Sequence, residues 1–208
     1  MSGDLIIGAG EHLVFFGDSI TEATDGFVGI VREMISTQYP ERGITVTNAG
    51  VGGDKVTSLE ARLKSDVFDK KPDWVVTMVG VNDVWHGANG VPLDEYRVRL
   101  ERMIESIQDA GIRQILMTPT VIGEDLGNEE NRKLEGYVEA LAGIGSSRDI
   151  PVIPLRTYFR NAIERSGISG GELLLTRDGV HLNHAGHLLV AIAILKQLKF
   201  DFSLGNLA

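Results

Sequence analysis

The chain has 208 residues, of which 43% are hydrophobic and 24% are charged, proportions that are ordinary for a globular protein with one substantial core. Its net charge of −9 at pH 7 argues against nucleic acid as a partner, because phosphates are neutralised by clustered lysine and arginine side chains. The chain contains no cysteine, which excludes disulfide bonds, thiolate metal sites and cysteine nucleophiles.

Short runs rich in β-branched and large apolar residues predict strands at residues 12–17, 44–49, 73–79, 114–119 and 150–155. Their continuous apolar character indicates burial on both faces, as in a parallel sheet. Helical patterns follow at residues 27–38, 56–68, 93–110, 129–146 and 157–166, and a last helix at residues 184–198 begins after a capping residue, Asn183. This alternation predicts a three-layer α/β/α sandwich whose five-stranded parallel sheet has the flavodoxin-like order 2-1-3-4-5.

No repeat, low-complexity tract or linker divides the sequence, so we expect a single domain over residues 1–208. Residues 1–8 lack the basic stretch and the long apolar core of a signal peptide. The longest purely apolar run, residues 188–195, is too short to cross a bilayer. These features predict a soluble, cytoplasmic protein without membrane insertion.

Polar motifs follow the first three predicted strands. Ser19 comes just after the first strand, and the third strand is followed by Gly80-Val81-Asn82-Asp83. The second strand runs into the glycine-rich segment Asn48-Ala49-Gly50-Val51-Gly52-Gly53-Asp54. In an open parallel sheet, ligands bind outside the carboxyl ends of the strands, near the point where the strand order reverses. We therefore expect these motifs to lie at one edge of the sheet.

Ser19 is placed where an attacking oxygen is needed, since a serine at the end of a buried strand has a rigid support and is open to solvent. A tetrahedral intermediate also needs hydrogen-bond donors fixed around its negative oxygen. The Ser19 amide, the glycine amides and the Asn82 side chain are suitable donors. Taken alone, the glycine segment is more typical of a tight turn, and Asn82 fits an Asx turn equally well. Which of Gly50, Gly52 and Gly53 donates stays open on these grounds.

The segment Asp178-Gly179-Val180-His181, just before the last predicted helix, supplies a carboxylate and an imidazole. His181 can accept the Ser19 proton and return it to a leaving alcohol, while Asp178 fixes the tautomer of the ring. A lone histidine near a helix start is more often structural. The Asp-x-x-His spacing at this place favours catalysis.

Two further patterns invite other interpretations. Gly167-Ile168-Ser169-Gly170-Gly171 matches the Gly-x-Ser-x-Gly nucleophile elbow, but that motif turns from a strand into a helix, and here it follows a helical stretch. His181, His184 and His187 recur every three residues, a step that drifts around a helix, so we do not expect them to converge on a metal ion. No dinucleotide fingerprint or phosphate loop is present. We expect no metal and no cofactor.

The motifs occur in the order of the four signature blocks of SGNH (GDSL-type) hydrolases, which they resemble over nearly the whole chain. The matching segments are Gly17-Asp18-Ser19-Ile20-Thr21, the glycine of the second block, Gly80-Val81-Asn82-Asp83 and Asp178-Gly179-Val180-His181. The resemblance implies the SGNH hydrolase fold.

The same resemblance implies a role for each candidate residue. Ser19 would be the nucleophile, and His181 and Asp178 would complete the catalytic triad. Gly53 and Asn82 would donate beside the Ser19 amide in the oxyanion hole. Gly53 is preferred among the glycines because the donor glycine of the family commonly precedes an aspartate, as it does here.

Further stretches are similar to bacterial acetyl xylan esterases of this superfamily. They are Lys71-Pro72-Asp73-Trp74-Val75, Val81-Asn82-Asp83-Val84-Trp85, Ile115-Leu116-Met117-Thr118-Pro119 and His184-Ala185-Gly186-His187. This similarity implies removal of small acyl groups, above all acetyl, from a sugar or xylooligosaccharide. Trp85 would form the wall of an acyl pocket or a platform for a sugar ring, although plain packing at a strand end explains it equally well.

Other functions stay open at this point. The same triad would serve a lysophospholipase or thioesterase that acts on longer acyl chains. A non-catalytic carbohydrate-binding relative is a third possibility, but such a protein has no need for a complete triad and oxyanion hole. Helical faces offer surfaces for a homo-oligomer, and no residue proves one.

Overall fold

The computed structural model describes residues 5–167 and 172–203. Its strands are β1 His12–Gly17, β2 Thr45–Gly50, β3 Trp74–Met78, β4 Arg113–Met117 and β5 Val152–Ile153. Its α-helices are α1 Ser19–Glu22, α2 Phe27–Gln38, α3 Val56–Asp66, α4 Val81–Trp85, α5 Leu93–Asp109, α6 Glu129–Ser147, α7 Leu155–Ser166 and α8 His184–Gln197. Short 3₁₀ helices cover Pro40–Arg42, Phe68–Lys70 and Gly87–Asn89.

The strands form one parallel sheet in the order β2-β1-β3-β4-β5, which confirms the predicted topology. The strand order reverses at β1, which lies between β2 and β3. In the register of the sheet, Gly17 at the end of β1 lies opposite Gly50 of β2 and Met78 of β3. The chain therefore leaves these three strands side by side, at one edge of the sheet.

Helices cover both faces of the sheet. Because side chains alternate along a strand, Phe15 and Phe16 of β1 point to opposite faces. The ring of Phe15 packs edge-on against Phe27 of α2, with 5.7 Å between the ring centroids. The ring of Phe16 lies under the guanidinium of Arg62 in α3, at 4.5 Å. One helix layer contains α2, α7 and α8 and the other α3, α5 and α6, which confirms the three-layer sandwich.

The last strand is shorter than predicted. The sequence pattern predicts a strand over residues 150–155, whereas β5 covers only Val152–Ile153. Pro151 and Pro154 flank these two residues, and proline has no amide hydrogen to donate to a neighbouring strand. The following helix accordingly begins at Leu155, two residues earlier than predicted.

The other predicted elements are confirmed, with ends that differ by no more than two residues. The predicted burial on both faces is wrong for β2, because β2 is an edge strand in which only Ala49 is buried. The predicted cap of the last helix is also confirmed, since the Asn183 side chain accepts a hydrogen bond from the Gly186 amide at 3.0 Å. Helices α1 and α4 were not predicted, because four or five residues are too few to display a helical period. Of the helices in the described residues, none has the length and apolar character needed to cross a membrane.

Candidate active site

Ser19 is the first residue of α1, directly after β1 and the capping residue Asp18. The Asp18 side chain accepts a hydrogen bond from the Ile20 amide at 3.0 Å, which fixes the turn. Ser19 itself is partly exposed. Neither its hydroxyl nor its amide hydrogen-bonds to any residue that the structure describes. The hydroxyl and the amide of Ser19 are therefore both available to a ligand.

The glycine segment after β2 presents two amides of the same kind. The Gly50 amide donates to the side chain of Asn48 at 2.9 Å and is not available. The amides of Gly52 and Gly53 have no acceptor within residues 5–167 and 172–203. Gly53 has φ +77°, a backbone conformation that favours glycine. The structure thus leaves Gly52 and Gly53, and not Gly50, as candidate donors beside Ser19.

Asn82 lies in α4, at the end of β3. The preceding Gly80 has φ +134°, and a Cβ there would come within 2.7 Å of Pro119, so the turn that presents Asn82 requires glycine. The Asn82 side chain is buried, and its Nδ2 donates to the backbone oxygen of Asp54 at 3.0 Å. An amide NH₂ group carries two hydrogens, so one remains for a ligand.

Asn82 and its neighbour Asp83 hold the glycine segment in place. While Asn82 donates to Asp54, the Asp83 carboxylate accepts from the Val56 amide at 3.0 Å. Val56 is the first residue of α3, where an amide has no partner within the helix. These two bonds lie on either side of Lys55 and fix the end of the glycine segment to α4.

Arg62 of α3 was not predicted to contribute, and it connects several parts of this edge. Its guanidinium donates to the backbone oxygens of Gly17 and Ala49, each at 2.8 Å, and to the Asp54 carboxylate at 2.6 Å. Gly17 and Ala49 lie at the carboxyl ends of β1 and β2. The only feature of the sequence that indicates a partner for Arg62 is Asp66, four residues further along the helix. That spacing is typical of ion pairs on a helix surface and does not reveal the contacts with the strand ends.

Asp178 and His181 are in direct contact. Nδ1 of His181 lies 2.7 Å from Oδ2 of Asp178, and the other carboxylate oxygen accepts from the amides of Val180 and His181 at 3.0 and 2.8 Å. Partial burial acts to raise the pKa of Asp178, but the hydrogen bonds from the His181 side chain and from the two amides outweigh it and lower that pKa. An ionised carboxylate favours the tautomer with hydrogen on Nδ1. Nε2 is then free to accept a proton.

A contact with Trp85 places His181 at the edge that carries Ser19. Its ring meets the edge of the Trp85 ring with 6.1 Å between centroids, and Trp85 is the last residue of α4, the helix that also carries Asn82. Within the described part of the chain, no hydrogen bond joins the Ser19 hydroxyl to His181. Such bonds are often long in ligand-free sites and shorten when substrate binds.

Trp85 is the last residue of α4, not part of a strand end, and is 45% exposed. Its ring contacts His181, as described, and His86, with 5.5 Å between the centroids. A flat apolar face beside His181 is therefore open to a ligand.

Two carboxyl groups beneath the site are buried. Burial, with the nearby charge of Asp54 as a smaller cause, raises the pKa of Asp18 to about 7. Burial, with the charge of Asp18 as a smaller cause, raises the pKa of Asp83 to about 7. Near neutral pH, each carboxyl group therefore carries a proton in a large fraction of molecules.

The other predicted candidates lie away from this site or outside the residues that the structure describes. His187 is buried, its Nδ1 accepts from the Phe27 amide at 3.3 Å, and burial lowers its pKa to about 4. His184 is exposed at the start of α8. Among the residues described, no three histidine or acidic side chains are placed to hold a metal ion. Ser169 and its Gly-x-Ser-x-Gly pattern lie largely within residues 168–171, outside the described ranges.

A parallel sheet in this order, with a partly exposed serine and an Asp–His pair at its reversal point, is the architecture of a three-layer hydrolase. The chain belongs to the GDSL-like lipase/acylhydrolase family, whose model matches residues 15–189. Its relatives include named esterases, and the chain is an ester hydrolase of this family with the SGNH hydrolase fold. The expected family membership is thereby confirmed.

Two named relatives illustrate the range of the family. An acetylxylan esterase of Geobacillus stearothermophilus is 32% identical over 94% of this chain and 97% of its own length. Esterase TesA of Pseudomonas aeruginosa is 24% identical over 83% of this chain and 80% of its own length.

Solved structures agree with this assignment. A crystal structure of the Geobacillus acetylxylan esterase superposes with a TM-score of 0.85 at 31% identity, over 94% of this chain and 97% of the other. An alpha/beta hydrolase from the metagenome of Lake Arreo, Spain, gives a TM-score of 0.84 at 26% identity, over 93% and 97%. Catalytic mutants of the Geobacillus esterase replace a serine, an aspartate or a histidine with alanine, and its aspartate and histidine are three positions apart.

Proposed function

We propose that this chain is a serine esterase that removes acetyl groups from acetylated sugars, above all xylooligosaccharides. Ser19 is the nucleophile, His181 the general base and acid, and Asp178 the residue that orients the imidazole. The amides of Ser19 and Gly53 and the side chain of Asn82 form the oxyanion hole. The reaction passes through an acyl-enzyme and needs no cofactor.

In the first step, the Ser19 oxygen attacks the carbonyl carbon of the ester while Nε2 of His181 takes the hydroxyl proton. The carbonyl oxygen becomes negative and is stabilised by the oxyanion-hole donors. The tetrahedral intermediate then collapses, the bond to the sugar oxygen breaks, and the sugar leaves with the proton from His181. The acetyl group remains on Ser19.

In the second step, water replaces the sugar. His181 removes a proton from the water as it attacks the acetyl carbon, and a second tetrahedral intermediate forms in the same oxyanion hole. Its collapse breaks the bond to the serine oxygen, which recovers the proton from His181. Acetate leaves and the enzyme returns to its starting state.

The observation that carries this proposal is the 2.7 Å hydrogen bond between His181 and Asp178 at the edge of the sheet where Ser19 emerges. It supplies an imidazole whose free nitrogen is the basic one. The spacing of the catalytic aspartate and histidine in the Geobacillus esterase matches that of Asp178 and His181 and supports the assignment.

The proposed substrate class has two kinds of support. One relative that is matched over 97% of its own length is an acetylxylan esterase. Trp85 offers an exposed aromatic face beside His181, and such faces stack on sugar rings.

The test compares acetate release from acetylated xylooligosaccharides with hydrolysis of phospholipids and of p-nitrophenyl acetate, butyrate and octanoate. We expect the acetyl substrates to react fastest and Ser19→Ala to be inactive. Preference for octanoate or phospholipid would establish the longer-chain esterase instead. A non-catalytic binding protein would hydrolyse none of these esters and would gain no fluorophosphonate adduct on Ser19 by mass spectrometry.

A further inference from the structure

Glu124 makes an unusual set of contacts with the segment that precedes Asp178. One oxygen of its carboxylate accepts hydrogen bonds from the amides of Leu175 and Thr176, both at 2.8 Å, and from the Thr176 hydroxyl at 2.7 Å. The other oxygen accepts from the Leu174 amide at 2.7 Å. Hydrogen bonds to an ionised acceptor are shorter and stronger than neutral ones. A single half-buried side chain thus fixes three consecutive residues.

The loop that carries Glu124 is itself firmly held. The side chain of Asn131 in α6 is fully buried and donates to the backbone oxygens of Ile122, Gly123 and Asp125 at 2.8, 3.0 and 2.8 Å. The buried guanidinium of Arg156 donates in turn to Asn131 at 2.6 Å. Glu124 therefore acts from a support with little freedom to move.

A second bond joins the two segments close to the catalytic pair. The Gly123 amide donates to the backbone oxygen of Gly179 at 2.6 Å. Gly179 has φ +94°, and a Cβ on it would lie 3.2 Å from the Cα of Gly123. The backbones at Gly123 and Gly179 are in close contact, so the turn between Asp178 and His181 packs directly against the loop that carries Glu124.

The segment held by Glu124 continues into a short hairpin. Thr176 forms an antiparallel bridge with Leu182, and the Arg177 amide donates to the backbone oxygen of His181 at 2.9 Å. Asp178 and His181 lie within this hairpin. A displacement of residues 174–176 would therefore move both groups relative to Ser19, which belongs to a different element.

We propose that Glu124 is a positioning residue for the acid–base pair: its carboxylate sets the place of the hairpin that carries Asp178 and His181 against Ser19. The role rests on the proposed function, in which His181 activates Ser19. Glu124 touches neither of them and acts through the hairpin alone. Misplacement by about 1 Å is enough to cost about a hundredfold in rate.

The test is Glu124→Gln, which keeps the size of the side chain but turns an NH₂ group toward donors that need an acceptor. A fluorophosphonate is the probe, because it modifies the serine independently of acyl-chain preference. We expect the inactivation rate constant kinact to fall by about 10- to 100-fold with an unchanged KI. In the proton NMR spectrum, the His181 Nδ1 proton should broaden or shift upfield.

Glu11→Gln is the matched control. The Glu11 carboxylate also accepts several hydrogen bonds, from the Gly8 amide at 2.7 Å, from Trp74 Nε1 at 2.9 Å and from Arg113. However, Glu11 lies just before β1, at the amino end of the strand, whereas Ser19 follows its carboxyl end. Loss of the Glu11 carboxylate should lower stability without changing kinact or the NMR signal. Should Glu124→Gln not fold, Thr176→Val removes one of the four donors and should lower kinact by about 3- to 10-fold.

Each outcome either supports or overturns the positioning role of Glu124. A wild-type kinact in folded Glu124→Gln, or in Thr176→Val where the first variant does not fold, overturns the positioning role. A fall that matches the lost folded fraction, with an unchanged His181 signal, shows a purely structural residue and overturns it too. If wild-type protein gains no adduct on Ser19, the proposed function fails, whereas adduct formation without acetyl preference corrects only the substrate class.

Discussion

At the scale of single residues, the Asp178 carboxylate combines two tasks. One oxygen holds the turn by accepting from two backbone amides, and the other orients the His181 ring. Its side chain is 49% exposed, so it contributes little to the hydrophobic core. The two tasks can therefore be separated by a substitution that preserves the first and changes the second.

Asp178→Asn is that substitution. The amide oxygen can still accept from Val180 and His181, while the NH₂ group faces Nδ1 of the ring and favours the tautomer with hydrogen on Nε2. A ring in this tautomer cannot accept the Ser19 proton. We expect kcat on p-nitrophenyl acetate to fall by about 10³- to 10⁴-fold, as for other triads, with little change in the urea midpoint.

The control for lost negative charge is Asp94→Asn, at an exposed position in the first turn of α5. It should leave kcat unchanged. A loss of less than about tenfold in Asp178→Asn would contradict an orienting role, because removal of tautomer control has a much larger effect in known triads.

The sequence predicts some of these residues and not others, for a physical reason. Ser19, Asn82, Asp178 and His181 belong to compact motifs whose position after a strand or before a helix can be recognised locally. Glu124 cannot be found in this way, since its partners lie 50 to 52 residues away and only the fold brings them together. The structure also narrows the candidates for the oxyanion-hole glycine to Gly52 and Gly53, because the Gly50 amide already donates to the Asn48 side chain.

At the scale of secondary-structure elements, α3 is fixed to the sheet edge through Arg62. Its bonds to Gly17 and Ala49 span 45 and 13 residues, so a sequence pattern shows Arg62 only as one more charged residue on a helix. The side chain is 15% exposed and its partner Asp54 12%. In so buried a pair, loss of one partner leaves an uncompensated charge.

We therefore expect Arg62→Met to lower the free energy of unfolding by about 3 kcal/mol, measured by urea denaturation. Arg99→Met is the matched comparison. Arg99 is also a helical residue that forms ion pairs with two carboxylates, Glu60 and Glu95, but its side chain is 34% exposed. We expect a much smaller loss for Arg99→Met, because solvent screens its ion pairs. Equal decreases in the free energy of unfolding of the two variants would show that the contacts of Arg62 with the strand ends add nothing to stability.

The strand order and helix layers were predicted more completely than the short elements. Apolar runs and helical periods specify β1, β3, β4 and the long helices, because the buried positions of these elements require apolar side chains. The short helices α1 and α4 depend on Asp18 and Gly80, whose bonds and backbone angles form only at the end of a folded strand. Local patterns of four or five residues carry too little information to reveal them.

At the scale of the whole molecule, buried carboxyl groups make stability depend on pH near neutrality. The pKa of Asp83 is about 7 in the folded protein and 3.8 in an unconstrained chain, mainly because of burial. Between these values the folded state binds more protons than the unfolded state. The stabilisation is therefore fully present below pH 3.8 and is lost as the pH rises through about 7.

Asp83→Asn isolates this effect. The amide can still accept from the Val56 amide, and its cost from an unpaired NH₂ group does not vary with pH. Relative to wild type, the free energy of unfolding of the variant should rise by about 3 kcal/mol between pH 5 and pH 8. Urea denaturation of both proteins at four or more pH values measures the difference.

Comparison with wild type matters because another group acts in the opposite direction. Burial lowers the pKa of His187 from 6.5 to about 4, so this residue makes the protein more stable as the pH rises between those values. That contribution is the same in both proteins and cancels in the difference. A difference independent of pH would mean that Asp83 is ionised in the folded protein at pH 5, and that solvent or a counter-charge offsets its burial.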